Sequence, residues 1–260
     1  MAEQNEIGSE IMDNCIDIKG LSKTFVTKEN IQVEALKDIN FLVKENDFIC
    51  IVGPSGCGKS TLLRIIASLE KVSKGKVTYK GKDINAPTSD IGMVFQNYSL
   101  LQWRNVLDNI ALGPEFNGLT KNQRRDIARK YLHMINMDEF EKAYPYELSG
   151  GMQQRVAIAR ALANNPHVLL MDEPFGALDA YTRILLQKEL LNIWEKNKKT
   201  ILFVTHSVDE AVYLGDRIIV MSKNPGTIRE VIDIKMARPR DRGNVEYAQI
   251  TSNILNMLED

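Results

Sequence analysis

Two stretches of this 260-residue chain combine residue types that can handle phosphate. The first is Gly53-Pro54-Ser55-Gly56-Cys57-Gly58-Lys59-Ser60, which fits the pattern G-x-x-x-x-G-K-[ST]. Glycines let the backbone wrap closely, so that successive N–H groups face phosphate oxygens. A helix beginning at Lys59 turns its positive end toward the same anion. Lys59 supplies a point charge for the β- and γ-phosphates, Ser60 offers a hydroxyl to Mg²⁺, and Thr61 follows it. The second stretch is Val168-Leu169-Leu170-Met171-Asp172-Glu173. Here an apolar strand delivers two carboxylates at its C-terminal end, where ligands bind in open α/β sheets. Asp172 suits Mg²⁺, directly or through water. Glu173 suits a general base that orients and polarises an attacking water. A glycine turn with a surface lysine, or a solvated Asp-Glu pair, is the plain alternative for either stretch alone. Together they predict a site that splits a nucleoside triphosphate.

The elements around these residues can be read from periodicity. Phe48 to Val52 is a short, wholly apolar strand running straight into the glycine loop, and Leu62, Leu63, Ile66 and Leu69 then recur at helical spacing. Ile16, Ile18 and Leu21, Ile31 to Val43, Val77 to Tyr79 and Ile91 to Phe95 read as strands. Helical spacing takes over from Lys121 to Ile135 and again after Ser149. Strands return at Val168 to Met171, Ile201 to Thr205 and Arg217 to Met221, with helices at Ala180 to Lys196 and Val208 to Leu214 between them. Strand–helix alternation interrupted by helices predicts an α/β core with a parallel sheet and a helical subdomain. The expected organisation is a flexible tail over 1–14, a nucleotide-binding core over 15–96 and 161–225, a helical subdomain over 97–160, and a C-terminal extension over 226–260.

A third motif is the most specific. In Leu148-Ser149-Gly150-Gly151-Met152-Gln153-Gln154-Arg155 a serine and two glycines open a helix, which makes a second anion site from a hydroxyl, N–H groups and a helix dipole. The run resembles the signature sequence of ABC ATPases, and the resemblance extends over nearly the whole chain. It implies a P-loop NTPase (RecA-like) α/β core with an antiparallel β-subdomain and an inserted helical subdomain. It also implies a head-to-tail homodimer in which the signature of one subunit (Ser149, Gly150, Gly151 and Gln153) faces the phosphate loop of the other across ATP and Mg²⁺. By the same resemblance Phe25 stacks on adenine where tyrosine is commonest, although a buried core Phe is the alternative. Gln96 contacts Mg²⁺ and the attacking water. Asp179, in Ala177-Leu178-Asp179, lies in the loop that crosses the dimer interface and also reads as a helix N-cap. His206 is the switch histidine that reaches the γ-phosphate.

Leu101 to Ile110, with Phe175-Gly176-Ala177-Leu178-Asp179-Ala180, looks like the nitrate/sulfonate/taurine importer branch. That implies a transmembrane permease, an extracytoplasmic substrate-binding protein reached indirectly, and a peripheral place on the cytoplasmic face of the membrane. Nothing in the chain touches the solute. The bulk properties agree with that reading. Lys plus Arg total 33 against 34 Asp plus Glu, a formal net charge of −1, which gives no support for nucleic acid as a partner. No apolar run approaches the roughly 18 residues of a membrane span. The polar, acidic start is unlike a secretory signal, and Cys15, Cys50 and Cys57 lack metal-ligand spacing, as expected of reduced thiols. A soluble ABC ATPase of DNA repair or translation is the alternative function. Such proteins usually carry two cassettes or a long coiled coil, and this chain has one phosphate loop and no long heptad run. A small-molecule kinase leaves the signature without a task, and Asn197-Lys198-Lys199-Thr200 lacks the aspartate of a guanine-reading motif.

Two residues carry open expectations. Cys57 sits beside Lys59 and a helix N-terminus, which favours a thiolate and predicts a reactive thiol; a small loop residue with buried sulfur is the alternative. Trp103 follows Tyr98, Leu100 and Leu101 and reads either as an anchor for a partner helix or as core of the helical subdomain.

Overall fold

The computed structural model describes residues 14–176 and 178–259; most of the expected tail and Ala177 lie outside the described residues. In chain order the elements are β1 (Asn14–Val26), β2 (Gln32–Lys44), β3 (Phe48–Val52), α1 (Lys59–Ile66), β4 (Lys74–Tyr79), β5 (Lys82–Asp83), β6 (Ile91–Val94), α2 (Val106–Ile110), α3 (Leu112–Phe116), α4 (Lys121–Met134), α5 (Gly150–Ala163), β7 (Val168–Asp172), α6 (Ala180–Asn197), β8 (Thr200–Val204), α7 (Val208–Leu214), β9 (Arg217–Met221), β10 (Ile228–Asp233) and α8 (Val245–Glu259). Contacts group these into two units, one holding residues up to 87 and from 200 onward, the other holding 88–199. The helical segment expected over 97–160 lies within the second.

In the first unit an antiparallel sheet runs in the order β2-β1-β4-β5. Cys15, Ile16, Ile18 and Leu21 of β1 are buried, and register shifts between Ile18 and Lys23 bend the strand there. A second group of strands runs β10-β9-β3-β8. All five residues of β3 and of β8 are buried. Burial on both faces is what a continuous apolar run such as Phe-Ile-Cys-Ile-Val requires. β3 pairs in parallel with β8 and β9, Ile51 opposite Val204 and Val52 opposite Val220, so these three strands end at the same edge, while β10 runs antiparallel to β9. The phosphate loop leaves β3 at that edge and Thr205-His206 leaves β8 there.

Helix α1 stops sooner than its spacing suggested. Ser68 adopts φ 59°, its N–H donates to Ile65 O at 2.9 Å, and the Leu69 N–H donates to Arg64 O at 2.8 Å. This is a Schellman closure with serine in the left-handed position. Leu69 is therefore outside the helix and exposed rather than on its buried face.

The second unit pairs β6 with β7 in parallel, Val94 opposite Met171. Its helices surround buried Val106, Leu107, Ala128, Leu132, Val156, Ala159 and Leu162. Asn109 of α2 is fully buried. Its carboxamide accepts from Leu101 N at 2.9 Å and donates to Leu101 O, Arg104 O and Asn105 O at 3.1, 2.9 and 3.1 Å, which fixes the loop before α2. Among the described residues no helix is long and apolar enough to cross a membrane.

Candidate nucleotide site

The phosphate loop follows from its glycines. Gly56 and Gly58 take φ 80° and 93°, which other residues rarely adopt, and Gly58 is the N-cap of α1 without a side-chain cap. The loop is gripped from behind by its own unit. A Cβ on Gly58 would meet Leu36 Cδ2 at 2.5 Å and Ala35 O at 3.0 Å, and one on Gly53 would meet Cys57 Sγ at 2.7 Å. Lys59 is buried, and its Nζ donates to Gly53 O at 2.7 Å and Pro54 O at 3.0 Å. The ammonium thus lies along the loop it serves. Ser60, Thr61 and Pro54 are half-buried, and Ser55 is exposed.

Cys57 corrects an expectation. Its side chain is wholly buried, and burial pushes the thiol up although Lys59 pulls the other way. Desolvation of the thiolate outweighs the nearby charge. Sequence reasoning also missed Gly226, whose N–H donates to Ala35 O at 3.1 Å and whose carbonyl accepts from Lys37 N at 2.9 Å. A Cβ there would fall 2.0 Å from the Cys57 carbonyl oxygen. No spacing rule links a glycine after β9 to a loop after β3.

His206 is exposed at the end of β8. Its neighbours are held firmly: Thr205 N–H donates to Ile51 O at 3.1 Å, and the Thr205 hydroxyl donates to the buried Glu210 carboxylate. Ser207 N–H donates to Thr205 Oγ1 at 3.0 Å, and Ser207 caps α7 by accepting from Glu210 N at 3.3 Å. Phe25 is 38% exposed on β1, so it is no core residue; Lys23 Nζ stands 4.7 Å from its ring centroid.

In the second unit β7 ends on Asp172, which is buried, and Glu173 follows directly after the strand. Glu173 adopts φ 43°, an uncommon backbone for a non-glycine residue, and strain of that kind collects at functional sites. Gln96 Nε2 donates to Glu173 Oε2 at 3.3 Å, so the structure brings these two predicted residues together. Ser149 caps α5, accepting from Met152 N at 3.4 Å, and both it and Gly150 are exposed. Gly151 is needed for packing, since a Cβ there would meet Thr182 Cγ2 at 2.8 Å. The Gln153 carboxamide donates back to Leu148 O at 3.2 Å. Asp179 caps α6 through Thr182 N at 3.0 Å, and that N–H holds its carboxyl below the usual range.

Arg160 of α5 is a further residue the sequence did not single out. Its guanidinium donates to Ser99 O at 2.7 Å and Tyr98 O at 2.8 Å, two residues at φ 51° and 50°. Trp103 is 75% exposed, which overturns its reading as core. It borders a cleft of about 230 Å³ lined also by Arg104, Asp108, Glu115, Arg124 and Tyr144.

A family model described as ABC transporter matches residues 36–176. This chain belongs to the ABC transporter family of ATPases. An uncharacterised ABC transporter ATP-binding protein of Methanocaldococcus jannaschii is 54% identical over 94% of this chain and 91% of its own length. The aliphatic sulfonates import ATP-binding protein of Bacillus cereus is 46% identical, covering 94% of this chain and 96% of that protein. A solved dimeric ATP-binding cassette in a post-hydrolysis state, bound to ADP and Pi, superposes with TM-score 0.77 at 36% identity, over 85% of this chain and all of that one. The fold is accordingly that of a P-loop NTPase with antiparallel and helical parts, and this ABC ATPase binds and hydrolyses ATP.

Proposed function

We propose that this ABC ATPase energises uptake of a small anion, a sulfonate, taurine, nitrate or a relative of these, through a separate permease at the cytoplasmic face of the membrane. A substrate-binding protein delivers the solute from outside, and nucleic acid has no part. The name of the Bacillus cereus relative supports the solute class, as do the resemblances at residues 101–110 and 175–180. The dimeric neighbour supports a homodimer.

In this reading the loop amides and Lys59 bind the β- and γ-phosphates of ATP and Phe25 stacks on adenine. Ser149, Gly150, Gly151, Gln153 and Asp179 complete the site of the other subunit. Glu173 takes a proton from the attacking water as its oxygen bonds to the γ-phosphorus and the bond to the β–γ bridging oxygen breaks. Gln96 orients that water and His206 reaches the γ-phosphate. Ser60, Asp172 and Gln96 are hard oxygen donors, few enough for Mg²⁺, which keeps several waters when bound. Bound there, Mg²⁺ would neutralise charge on the phosphate oxygens.

The observation that carries this reading is Glu173: a carboxylate in a strained backbone at a buried strand end, hydrogen-bonded by Gln96. Glu173→Gln should keep ATP binding and lose about 10²–10⁴-fold in hydrolysis rate, so that the ATP-bound dimer accumulates on size-exclusion chromatography with MgATP. A parental rate would remove Glu173 from the reaction.

A further inference from the structure

Helix α7, which starts beside His206, has seven residues. So short a helix does not support itself, and its last carbonyls lack partners within it. Here two arginines from the C-terminal segment take them. Arg240 Nη1 donates to Val212 O at 2.7 Å, Tyr213 O at 3.3 Å and Gly215 O at 2.6 Å, and Arg238 donates to Leu214 O. Arg240 is buried, and its Nε donates to Met236 O at 3.1 Å. Positive charge at a helix C-terminus also opposes the dipole.

The other end of α7 is held by the same segment. Arg242 grips the Asp209 carboxylate with Nε at 2.9 and 3.1 Å and Nη2 at 3.0 Å, while its guanidinium lies 4.0 Å from the Tyr213 ring centroid. The Tyr247 hydroxyl lies 2.8 Å from Asp209 O and 2.7 Å from Asp209 Oδ1. Asp209 adjoins Glu210, whose carboxylate accepts from Thr205 and whose N–H donates to Ser207. His206 is the residue between those two.

We propose that Arg240 and Tyr247 are positioning residues for ATP hydrolysis: they brace both ends of α7 and so set the place of His206. The C-terminal segment is then part of the catalytic apparatus rather than an appendage. This rests on the role of His206 given above. A brace that serves stability alone would lower the melting temperature and leave turnover of the folded protein untouched.

The test is a double-mutant cycle on the full chain. Arg240→Gln should lower kcat for MgATP about tenfold, within the range of couplings between residues in one network. It should leave the Kd of a fluorescent ATP analogue within about twofold and speed hydrogen exchange over 205–214, because the phosphate loop is not part of the brace. In a His206→Ala background the same change should cost nothing further. Losses that multiply in that background, or a parental kcat for folded Arg240→Gln, would overturn the proposal. A parental kcat for His206→Ala alone would instead overturn the role of His206, and the brace would have nothing to position. If Arg240→Gln does not fold, Tyr247→Phe, which removes one oxygen, carries the same cycle.

Discussion

Gly226→Ala offers a graded blow to the phosphate loop from outside it. The backbone of Gly226 lies outside the left-handed region, so alanine introduces no torsional strain there. Its methyl group would, however, fall 2.0 Å from the Cys57 carbonyl oxygen and 3.0 Å from Ala35 O. Relief to even 3.0 Å requires a backbone displacement of about 1 Å, and neither neighbour is a flexible side chain. Because Gly226 is hydrogen-bonded to Ala35 and Lys37, the phosphate loop must take much of that movement. A misplacement of about 1 Å in a reacting site costs on the order of 10²-fold, equivalent to about 2.7 kcal/mol. Steady-state MgATP hydrolysis and nucleotide Kd should both suffer. Gly81→Ala is the control, since φ there is 75° and a Cβ meets nothing within 4 Å. It should cost about 1–2 kcal/mol in stability and leave kcat/KM alone. A Gly226→Ala protein with parental kcat/KM would refute the reasoning, because the clash would then have been absorbed without moving the loop.

Three further outcomes are expected. The buried Cys57, with its thiol pushed up, should react slowly with maleimide at pH 7, monitored by mass spectrometry; rapid inactivation that ATP blocks would contradict the burial. Mixing inactive Lys59→Ala with inactive Ser149→Arg should restore some activity, since heterodimers regain one intact site; no recovery, together with no crosslink between the two positions across subunits, would refute the shared site. Trp103→Ala should change stability by no more than about 0.5 kcal/mol and keep basal ATPase while losing permease in a pull-down; a variant that still captures permease would end the role of Trp103 as an anchor.

The legible parts of this molecule were those encoded locally. The apolar run Phe48 to Val52 and the glycines after it specify strand and loop within a dozen residues, and Ser149 specifies its helix start in four. What escaped depends on chain segments far apart. The chemistry of Cys57 is decided by burial, which its charged neighbour does not reveal. Arg240 meets Val212 across 28 positions and Gly226 meets Cys57 from still farther, so no periodicity announces either contact. Leu69 failed for a different reason: a serine, not the usual glycine, takes the left-handed turn that ends α1.

The seven residues from Gln96 to Gln102 contain little slack. Two of them sit in left-handed backbone with both carbonyls tied to Arg160, and the next turn is stitched to Asn109. A force applied at the Trp103 indole cannot be absorbed by straightening such a segment. It must either drag α5, and with it Ser149, or displace Gln96 from the Glu173 carboxylate. The loop is built as a crank rather than a cord, so that what moves one end turns the other.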